Sequence, residues 1–329
     1  MSMDLSLANL PRTKLEKEEK VKVLILGSGP AGLSAALYVA RANLSPVVLS
    51  GIEFGGQISS TYAIENYPGF PEGIGGMELF ELFKKQAERF GTRIEMDIAK
   101  ETNLSNRPFR VKTQNGKLFL AESLIITTGA RTIKMNIPGE REFTGRGISY
   151  CGTCDGWFFR EKDVIVVGGG DSALEEGIFL TRYANSVTIV HRRDQLRAGP
   201  ILQERARSNP KIHFLWNKIV TEILGDGSVE QVRLQDTLTG EEMEHKTDGV
   251  FIFIGHTPNT DMFKGQLEMD DLGYLVIDRL MRTSISGVFA AGEVADPHFR
   301  QVITSAGMGA AAAMQVGHFL DEVVGYTRE

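Results

Sequence analysis

Residues 21–44 read VKVLILGSGPAGLSAALYVARANL, and this pattern predicts a buried strand, a glycine-rich turn and an alanine-rich helix in succession. A second apolar run, PVVLS at 46–50, completes a strand–helix–strand unit. This run does not alternate between apolar and polar residues, which is typical of a strand covered on both faces. The opening of the chain therefore predicts a doubly wound α/β sheet.

The same pattern returns in residues 163–194, which read DVIVVGGGDSALEEGIFLTRYANSVTIVHRRD. Two such units predict two Rossmann-like, three-layer domains that each bind a dinucleotide. Further strands are predicted at 123–130, 249–258 and 287–294, and a helix is predicted from Thr304 to Leu320. The fold class predicted is therefore α/β.

The first glycine turn is a complete G-x-G-x-x-G motif, Gly27-Ser28-Gly29-Pro30-Ala31-Gly32. Glycines allow a sharp turn there, and the following helix directs its N-terminus at a pyrophosphate. The alternative is a tight strand–helix turn without a ligand. Glu53, shortly after the second strand, is a candidate ribose or adenosine contact, although a solvated loop acid would look the same. GGQ at 55–57 is another place where the backbone can approach a large ligand.

The second turn reads Gly168-Gly169-Gly170-Asp171-Ser172-Ala173, and the strand after it ends in His191-Arg192-Arg193, with Arg197 close behind. A carboxylate at this strand end would accept the ribose 2′-hydroxyl, whereas guanidinium groups match a 2′-phosphate. The second site is therefore predicted to bind NADP(H) rather than NAD(H). The alternative is a solvated basic strand end.

Length and composition limit the other possibilities. A chain of 329 residues suits two domains, and its formal charge of 36 − 42 = −6 argues against nucleic acid or an anionic membrane as the main partner. No apolar run is long enough to span a membrane. Residues 1–20 are predicted to form a polar tail without a secretion signal, and the expected compartment is the cytoplasm.

The chain has two cysteines, Cys151 and Cys154, in the stretch CGTCDG. A zinc site needs about four ligands, and neither a second cysteine pair nor clustered histidines exist, so no metal is predicted. A structural disulfide closing so short a loop would remove little chain entropy. A redox pair is the favoured interpretation, because a disulfide takes the two electrons that a nicotinamide delivers, with a flavin as intermediary. Asp155 would then move protons for the leaving thiolate.

The sequence resembles the low-molecular-weight thioredoxin reductases over nearly all of the chain after residue 20. The resemblance rests on separated motifs in a fixed order: GSGPAG, GGQ, ENYPG, TTGA, CGTCDG, GGGDSALEE, HRRDQLRA, IGHTPNT and GVFAAGEVADPHFRQVITSAGMGAAAA. It implies an FAD-binding domain formed by 21–130 and 257–329, and an NADPH-binding domain at 131–256 that carries the dithiol. It also implies a homodimer, and rotation of one domain against the other about linkers near 130–134 and 255–258.

The resemblance also implies roles for individual residues. Cys154 would face the flavin, Cys151 would attack the disulfide of thioredoxin, and Asp155 would be the acid–base residue. The implied FAD contacts are Gly27, Gly29, Pro30, Ala31, Gly32, Glu53, Gly56, Gln57, Asn66, Gly129, Gly292, Glu293, Arg300 and Gln301. The implied NADPH contacts are Gly168, Gly170, Asp171, Ser172, Ala173, His191, Arg192, Arg193 and Arg197.

Three positions depart from the family's usual residues. Glu293 stands where Asp is usual, and Thr127 and Gly152 stand where Ala is common. Two alternative functions keep the flavin. One is a related disulfide reductase with another donor, such as ferredoxin, or another acceptor, such as a glutaredoxin-like or peroxidase-linked protein. The other is a non-catalytic flavin redox sensor, which the intact pairing of C-x-x-C with Asp155 disfavours.

Overall fold

A computed structural model describes residues 17–51, 54–61 and 64–325. The chain divides into two compact units, the first from the described parts of Met1–Ser59, Phe80–Gly129 and Pro258–Glu329, and the second from Ser60–Leu79 and Ala130–Thr257. Ser60–Leu79, which the sequence pattern assigns to the discontinuous domain, is grouped with the second unit. The antiparallel bridge between Ile64 and Ile74 closes this segment on itself.

The strands follow the chain in this order: β1 Lys17–Leu26, β2 Val47–Leu49, β3 Arg93–Glu95, β4 Ala99–Asn103, β5 Phe109–Thr113, β6 Lys117–Ile126, β7 Ala130–Thr132, β8 Ile148–Ser149, β9 Asp163–Val167, β10 Ser186–His191, β11 Ile212–Trp216, β12 Lys218–Leu224, β13 Gln231–Asp236, β14 Glu242–Lys246, β15 Gly249–Ile252, β16 His256–Pro258 and β17 Val288–Ala290.

The α-helices are α1 Pro30–Arg41, α2 Gly76–Arg89, α3 Glu140–Phe143, α4 Gly152–Asp155, α5 Asp171–Leu180, α6 Pro200–Ser208 and α7 Val302–Phe319. Short 3₁₀ helices occur at Gly56–Ser60, Gly156–Phe159 and Asp261–Phe263, and a π-helical turn at Leu320–Val324 follows α7.

The first unit is built on a sheet with the strand order β3-β2-β1-β6-β5-β4, and β17 also pairs with β6. The strands β1, β2, β3, β6 and β17 run parallel, whereas β4 and β5 are antiparallel additions. Because side chains alternate along a strand, Val23 and Ile25 pack on α1 and α7, whereas Leu24 and Leu26 pack around Phe263 on the other face. Both faces of the parallel strands are therefore covered, as the run PVVLS predicts.

The second unit is built on a parallel sheet with the order β11-β10-β9-β15-β8. Val164 and Val166 of β9 pack on the helical face with α5, and Ile165 and Val167 pack on the other face. The strands β12, β13 and β14 form an antiparallel sheet, and Val220 of β12 and Val232 of β13 belong to the buried cluster on that second face. The sequence analysis did not predict these three strands. The predicted α/β fold class is confirmed.

The strand β1 begins earlier than the sequence suggests. Lys17–Lys20 lie in the stretch predicted as a polar tail, yet they pair in register with β6. Glu19 forms ion pairs with Lys117 and Arg93, so the charged run has cross-strand partners. Residues 1–16 of the predicted tail lie outside the described residues.

Candidate active site

The first glycine turn connects the end of β1 to α1, as the sequence predicts. A side chain on Gly27 would collide with the backbone of Thr127, and one on Gly32 would collide with the backbone of Gly27. Gly27 also has a φ of +116°, which L side chains rarely adopt. These two glycines are therefore required by the packing of the protein itself.

Gly29, the middle glycine of the motif, is different. A Cβ on Gly29 would meet only the carbonyl oxygen of Gly55, at 3.8 Å, and its φ of −68° suits any residue. The protein therefore leaves room above Gly29, at the N-cap of α1, where Pro30 occupies the first turn. A turn that is tight on the protein side and open at the helix N-terminus fits a bound pyrophosphate.

The loop after β2 closes over this turn through Ser28. Its hydroxyl group donates to the carbonyl of Ser50 at 3.2 Å and accepts from the amide of Gly55 at 3.2 Å. Gly56 and Gln57 follow in a 3₁₀ helix, so the predicted backbone approach lies next to the glycine turn. Glu53 lies outside the described residues.

The C-terminal part of the first unit contributes the residues between β17 and α7. Gly292 packs on Ala31, where a Cβ would lie 2.9 Å from the Ala31 methyl group. Glu293 accepts a hydrogen bond from the side-chain amide of Gln57, which joins two predicted FAD contacts. Arg300, with a φ of +51°, donates its backbone amide to Asp296 at 3.1 Å.

Gln301 is the N-cap of α7 and forms a capping box with Thr304. The remaining two predicted FAD residues are Gly129 and Asn66. The carbonyl group of Gly129 accepts the amide of Asn259 at 2.9 Å. Asn66 belongs to Ser60–Leu79 and so to the second unit.

In the second unit, the glycine turn Gly168–Ala173 connects β9 to α5. A side chain on Gly168 would lie 2.5 Å from the Phe253 carbonyl oxygen, whereas one on Gly170 would meet only Arg197 Nη2, at 3.9 Å. The turn therefore repeats the arrangement of the first unit, tight at its first glycine and open at the helix N-terminus. Asp171, the first residue of α5, accepts the amide of Gly199 at 2.7 Å, and Ser172 and Ala173 follow in the first turn.

The loop after β10 is held against this turn. The carbonyl group of Gly169 accepts the amides of Arg197 at 2.7 Å and Ala198 at 3.2 Å. Arg192, Arg193 and Arg197 are exposed. Three guanidinium groups therefore stand near the carboxyl ends of parallel strands, where doubly wound sheets bind their ligands.

His191 is placed differently from the arginines. Its ring is buried against Gly169, and its Nε2 donates to the carbonyl group of Gln195 at 3.0 Å. Burial lowers the pKa of His191, and the positive charge of Arg197 adds to the effect. The His191 ring therefore packs against the glycine turn at Gly169.

Cys151 and Cys154 form a disulfide with a Cα–Cα distance of 5.3 Å. Cys151 is the N-cap of α4, and its Sγ accepts the amide of Cys154 at 3.1 Å. Asp155 donates its amide to the carbonyl group of Cys151 at 3.1 Å, and burial raises the pKa of its carboxyl group. A redox pair and a carboxyl group suited to carry a proton are thus adjacent.

Two neighbours of the dithiol were missed by sequence reasoning. The hydroxyl group of Ser149 donates to Asp155 Oδ2 at 2.6 Å, and the carboxyl group of Glu176 on α5 lies where a Cβ on Gly152 would stand. The spacing S-x-C was available in the sequence for Ser149. Glu176 had no local signal, because α5 meets α4 only in the folded unit.

Comparison with known proteins assigns the chain to a family. The profile described as pyridine nucleotide-disulphide oxidoreductase matches residues 21–312. The chain belongs to this family. Two relatives called thioredoxin reductase are close to it: that of Mycolicibacterium smegmatis is 48% identical over 301 residues, covering 91% of this chain and 96% of the relative, and that of Rickettsia felis is 49% identical over 305 residues, covering 92% and 98%.

A solved structure agrees with these relatives. The thioredoxin reductase from Streptococcus pyogenes has a TM-score of 0.87 at 44% identity, covering 92% of this chain and 98% of that one. The predicted membership of the thioredoxin reductase family is confirmed. Membership implies that this oxidoreductase uses a pyridine nucleotide and a flavin.

The structure explains how this thioredoxin reductase homologue accommodates its three departures. The Thr127 hydroxyl group donates to the carbonyl group of Leu26 at 2.9 Å, which ties the ends of β6 and β1 together. Glu293 accepts from Gln57. Gly152 leaves space for the carboxyl group of Glu176.

Within residues 17–51, 54–61 and 64–325, no group of three or more His, Cys, Asp or Glu side chains could hold a metal ion. Among the helices of the described residues, none has the length and hydropathy needed to cross a membrane.

Proposed function

We propose that the protein is a thioredoxin-disulfide reductase that takes electrons from NADPH, holds FAD, and passes the electrons through Cys151 and Cys154 to the disulfide of thioredoxin. The disulfide between these two cysteines, followed at once by the carboxyl group of Asp155, is the observation that carries the proposal. The names of the relatives support thioredoxin as the substrate.

FAD fits the first unit because the turn after β1 is tight at Gly27 and Gly32 and open at Gly29. When bound there, FAD would supply the two-electron chemistry that links a reduced nicotinamide to a disulfide. The residues proposed to hold it are Gly27, Gly29, Pro30, Ala31, Gly32, Glu53, Gly56, Gln57, Asn66, Gly129, Gly292, Glu293, Arg300 and Gln301.

NADPH fits the second unit for the same steric reason, and the charges select its 2′-phosphate. Arg192, Arg193 and Arg197 are exposed beside the turn, and no acid ends β10. A guanidinium group forms charge-assisted hydrogen bonds with a phosphate that a 2′-hydroxyl group cannot match. The other proposed contacts are Gly168, Gly170, Asp171, Ser172, Ala173 and His191.

The chemistry at the dithiol is thiol–disulfide exchange. In the reduced enzyme, the Cys151 thiolate attacks one sulfur of the substrate disulfide, and the other substrate sulfur leaves as a thiolate. Cys154 then attacks Cys151, which restores the enzyme disulfide and releases the second substrate sulfur. Asp155 gives a proton to a departing thiolate. The Cys154 amide at 3.1 Å and the Thr153 hydroxyl group at 3.3 Å stabilise negative charge on Cys151 Sγ.

Exposed aromatic residues next to the dithiol favour a protein as the substrate. Trp157 is 51% exposed and Phe158 is 44% exposed, directly after the redox pair in sequence. The Trp157 and Tyr183 rings form a T-shaped pair with their centroids 5.9 Å apart, and the Arg160 guanidinium carbon lies 4.4 Å from the centroid of the Trp157 ring. Rigid aromatic and arginine side chains are typical of protein-binding surfaces.

The decisive experiment measures reduction of oxidised thioredoxin, or of an oxidised glutaredoxin-like protein, by the FAD-loaded protein, with either NADPH or reduced ferredoxin as the electron donor. We expect turnover with thioredoxin as acceptor, and we expect Cys154→Ser to abolish it while FAD stays bound and NADPH still bleaches the flavin. Cys151→Ser should behave likewise, because the disulfide needs both cysteines. Full activity of Cys154→Ser, or turnover that depends on ferredoxin as donor, would contradict the proposal.

The proposal extends to assembly and compartment. A homodimer in the cytoplasm is what the resemblance implies, and a redox dithiol operates most readily in a reducing compartment. Light scattering of the FAD-loaded protein tests the dimer, and fractionation of the source cells tests the compartment.

A further inference from the structure

Ser149 occupies a position between the redox pair and the carboxyl group of Asp155. It is the last residue of β8, where it pairs with Phe251 of β15, and it is only 3% exposed. Its hydroxyl oxygen has three polar neighbours: Asp155 Oδ2 at 2.6 Å, the Cys151 amide nitrogen at 3.0 Å and the Cys151 carbonyl oxygen at 3.1 Å. One buried hydroxyl group thus contacts both the proposed proton donor and the backbone of the proposed nucleophile.

The hydrogen bonds that the Ser149 hydroxyl group donates and accepts depend on the protonation state of Asp155. A serine hydroxyl group has one proton to donate and two lone pairs to accept with. The Cys151 amide donates to it in either state. When Asp155 is ionised, the hydroxyl proton points to the carboxylate. When Asp155 carries a proton on Oδ2, that proton is donated to Ser149, and the hydroxyl proton turns to the Cys151 carbonyl oxygen.

Rotation of a single hydroxyl group therefore gives Asp155 a hydrogen-bond partner before and after it releases a proton. Strand β8 holds this hydroxyl group rigidly, since a buried side chain on a paired strand has little freedom. The carboxyl group would otherwise depend on its own side-chain torsions to stay near the dithiol. Burial raises the pKa of the Asp155 carboxyl group, whereas the hydrogen bond from Ser149 lowers it.

We propose that Ser149 is a positioning residue for thiol–disulfide exchange, which holds the Asp155 carboxyl group in place relative to Cys151 in both of its protonation states. The proposal rests on the proposed function, because it requires Asp155 to be the proton donor. In each exchange cycle the proton leaves Asp155 for a departing thiolate and is replaced from solvent. Ser149 gains and loses no proton overall.

A double-mutant cycle on the FAD-loaded enzyme tests this role. Asp155→Asn removes the proton donor, and we expect it to slow thioredoxin reduction by about 100-fold, within the usual range for a general acid. Ser149→Ala should slow the same reaction about tenfold, because the donor remains but is misplaced. In the Asp155→Asn background, Ser149→Ala should cause less than about a twofold further loss, since residues that act as a unit are not additive.

The outcomes separate the inference from the proposed function. Equal rates for Asp155→Asn and wild type would remove the proton-donor role itself. A slow Asp155→Asn enzyme with a fully active Ser149→Ala enzyme would overturn only the role of Ser149. The role of Ser149 would also be overturned if the rate loss of the double variant equalled the product of the two single losses. Ser149 would then act on Cys151 alone. The rate of flavin reduction by NADPH should be unchanged in all variants.

Ser149→Thr keeps the hydroxyl group and covers the possibility that Ser149→Ala does not fold. We expect the folded Ser149→Thr enzyme to stay within about threefold of the wild-type rate. Adding Asp155→Asn to Ser149→Thr should then slow thioredoxin reduction by about 100-fold, as it does in the wild-type background. A folded Ser149→Thr enzyme as slow as Asp155→Asn would overturn the proposal.

Discussion

Gln57 donates a side-chain hydrogen bond to Glu293, across 236 residues of sequence. The resemblance to the thioredoxin reductases implies that both residues contact FAD. The contact joins the loop after β2 to the connection between β17 and α7 within the first unit. It also gives a role to the longer side chain at 293, where the family usually has Asp.

We therefore expect Gln57 and Glu293 to act as a pair in holding FAD. Gln57→Ala and Glu293→Ala should each weaken FAD binding by about 1 kcal/mol, or about fivefold, the usual contribution of one hydrogen bond. The double variant should lose little more, because contacting residues are coupled. Titration of apoprotein with FAD measures the affinities, and Glu101→Ala, on an exposed strand position of the same unit, is the control. Additive losses would show that the two residues act separately.

In the glycine turn of the second unit, replacing Gly168 by alanine and replacing Gly170 by alanine should affect the free energy of unfolding differently. Gly168→Ala should lower the free energy of unfolding by about 3 kcal/mol, since the Cβ meets the Phe253 carbonyl group and the φ of +154° is strained. Gly170→Ala should cost no more than about 1 kcal/mol, the difference between Gly and Ala at an N-cap.

Gly170→Ala should instead weaken NADPH binding by about tenfold or more, because its methyl group would stand between the helix N-terminus and the pyrophosphate. Denaturant unfolding of the FAD-loaded protein without NADPH gives the stability, and stopped-flow flavin reduction gives the NADPH affinity. Unchanged NADPH affinity in Gly170→Ala would argue that this turn does not hold the dinucleotide.

The three exposed arginines should select the phosphate of NADPH. Arg192→Gln, Arg193→Gln and Arg197→Gln should each lower kcat/KM for NADPH about 10- to 100-fold if the arginine pairs with the phosphate, since hydrogen bonds to charged groups contribute about 1.5–3 kcal/mol. The kcat/KM for NADH should change little. Arg207→Gln is the matched control, because Arg207 is not one of the proposed phosphate contacts. Its guanidinium group lies 5.5 Å from the centroid of the Trp216 ring. Equal losses for both nucleotides would argue against a 2′-phosphate site.

The fold was predictable where its signals are local in sequence. The strand, turn and helix of 21–44 and of 163–194 each lie in one continuous stretch, and β1, α1, β9 and α5 form there. The meander β12–β14 was missed because its strands are partly exposed and lack a strong apolar pattern. The early start of β1 was missed because the ion-pair partners of Glu19, which are Lys117 and Arg93, lie on strands that are distant in sequence.

The residues of the candidate site were likewise predictable where local motifs mark them, but the contacts between those residues were not. Motif spacing identifies Cys151, Cys154 and Asp155, but not the hydroxyl group that contacts the carboxyl group. Sequence also cannot distinguish Gly168 from Gly170, because only the folded turn shows which one has space for a methyl group. Contacts such as Gln57 to Glu293 depend on how separate elements pack, which no local pattern encodes.

The raised pKa of Asp155 predicts that activity and stability change in opposite directions when it is replaced. Because burial raises the pKa of this carboxyl group in the folded protein, its ionised form destabilises the fold. This penalty is absent below the unfolded pKa of about 3.9 and is fully present above the folded pKa. Asp155→Asn should therefore raise the Tm of the FAD-loaded protein at pH 8 and have a smaller effect near pH 4, while thioredoxin reduction slows by about 100-fold.

Thermal unfolding across this pH range measures the effect. Asp163→Asn is the matched control in the same unit, because hydrogen bonds from Ser186 and Asn185 lower the pKa of Asp163. Its carboxylate stabilises the fold above the unfolded pKa, so the replacement should lower the Tm at pH 8 and lose its effect at acidic pH. A fall in Tm at pH 8 for Asp155→Asn, equal to that of Asp163→Asn, would show that the Asp155 carboxylate is stabilised in the fold and does not store a proton.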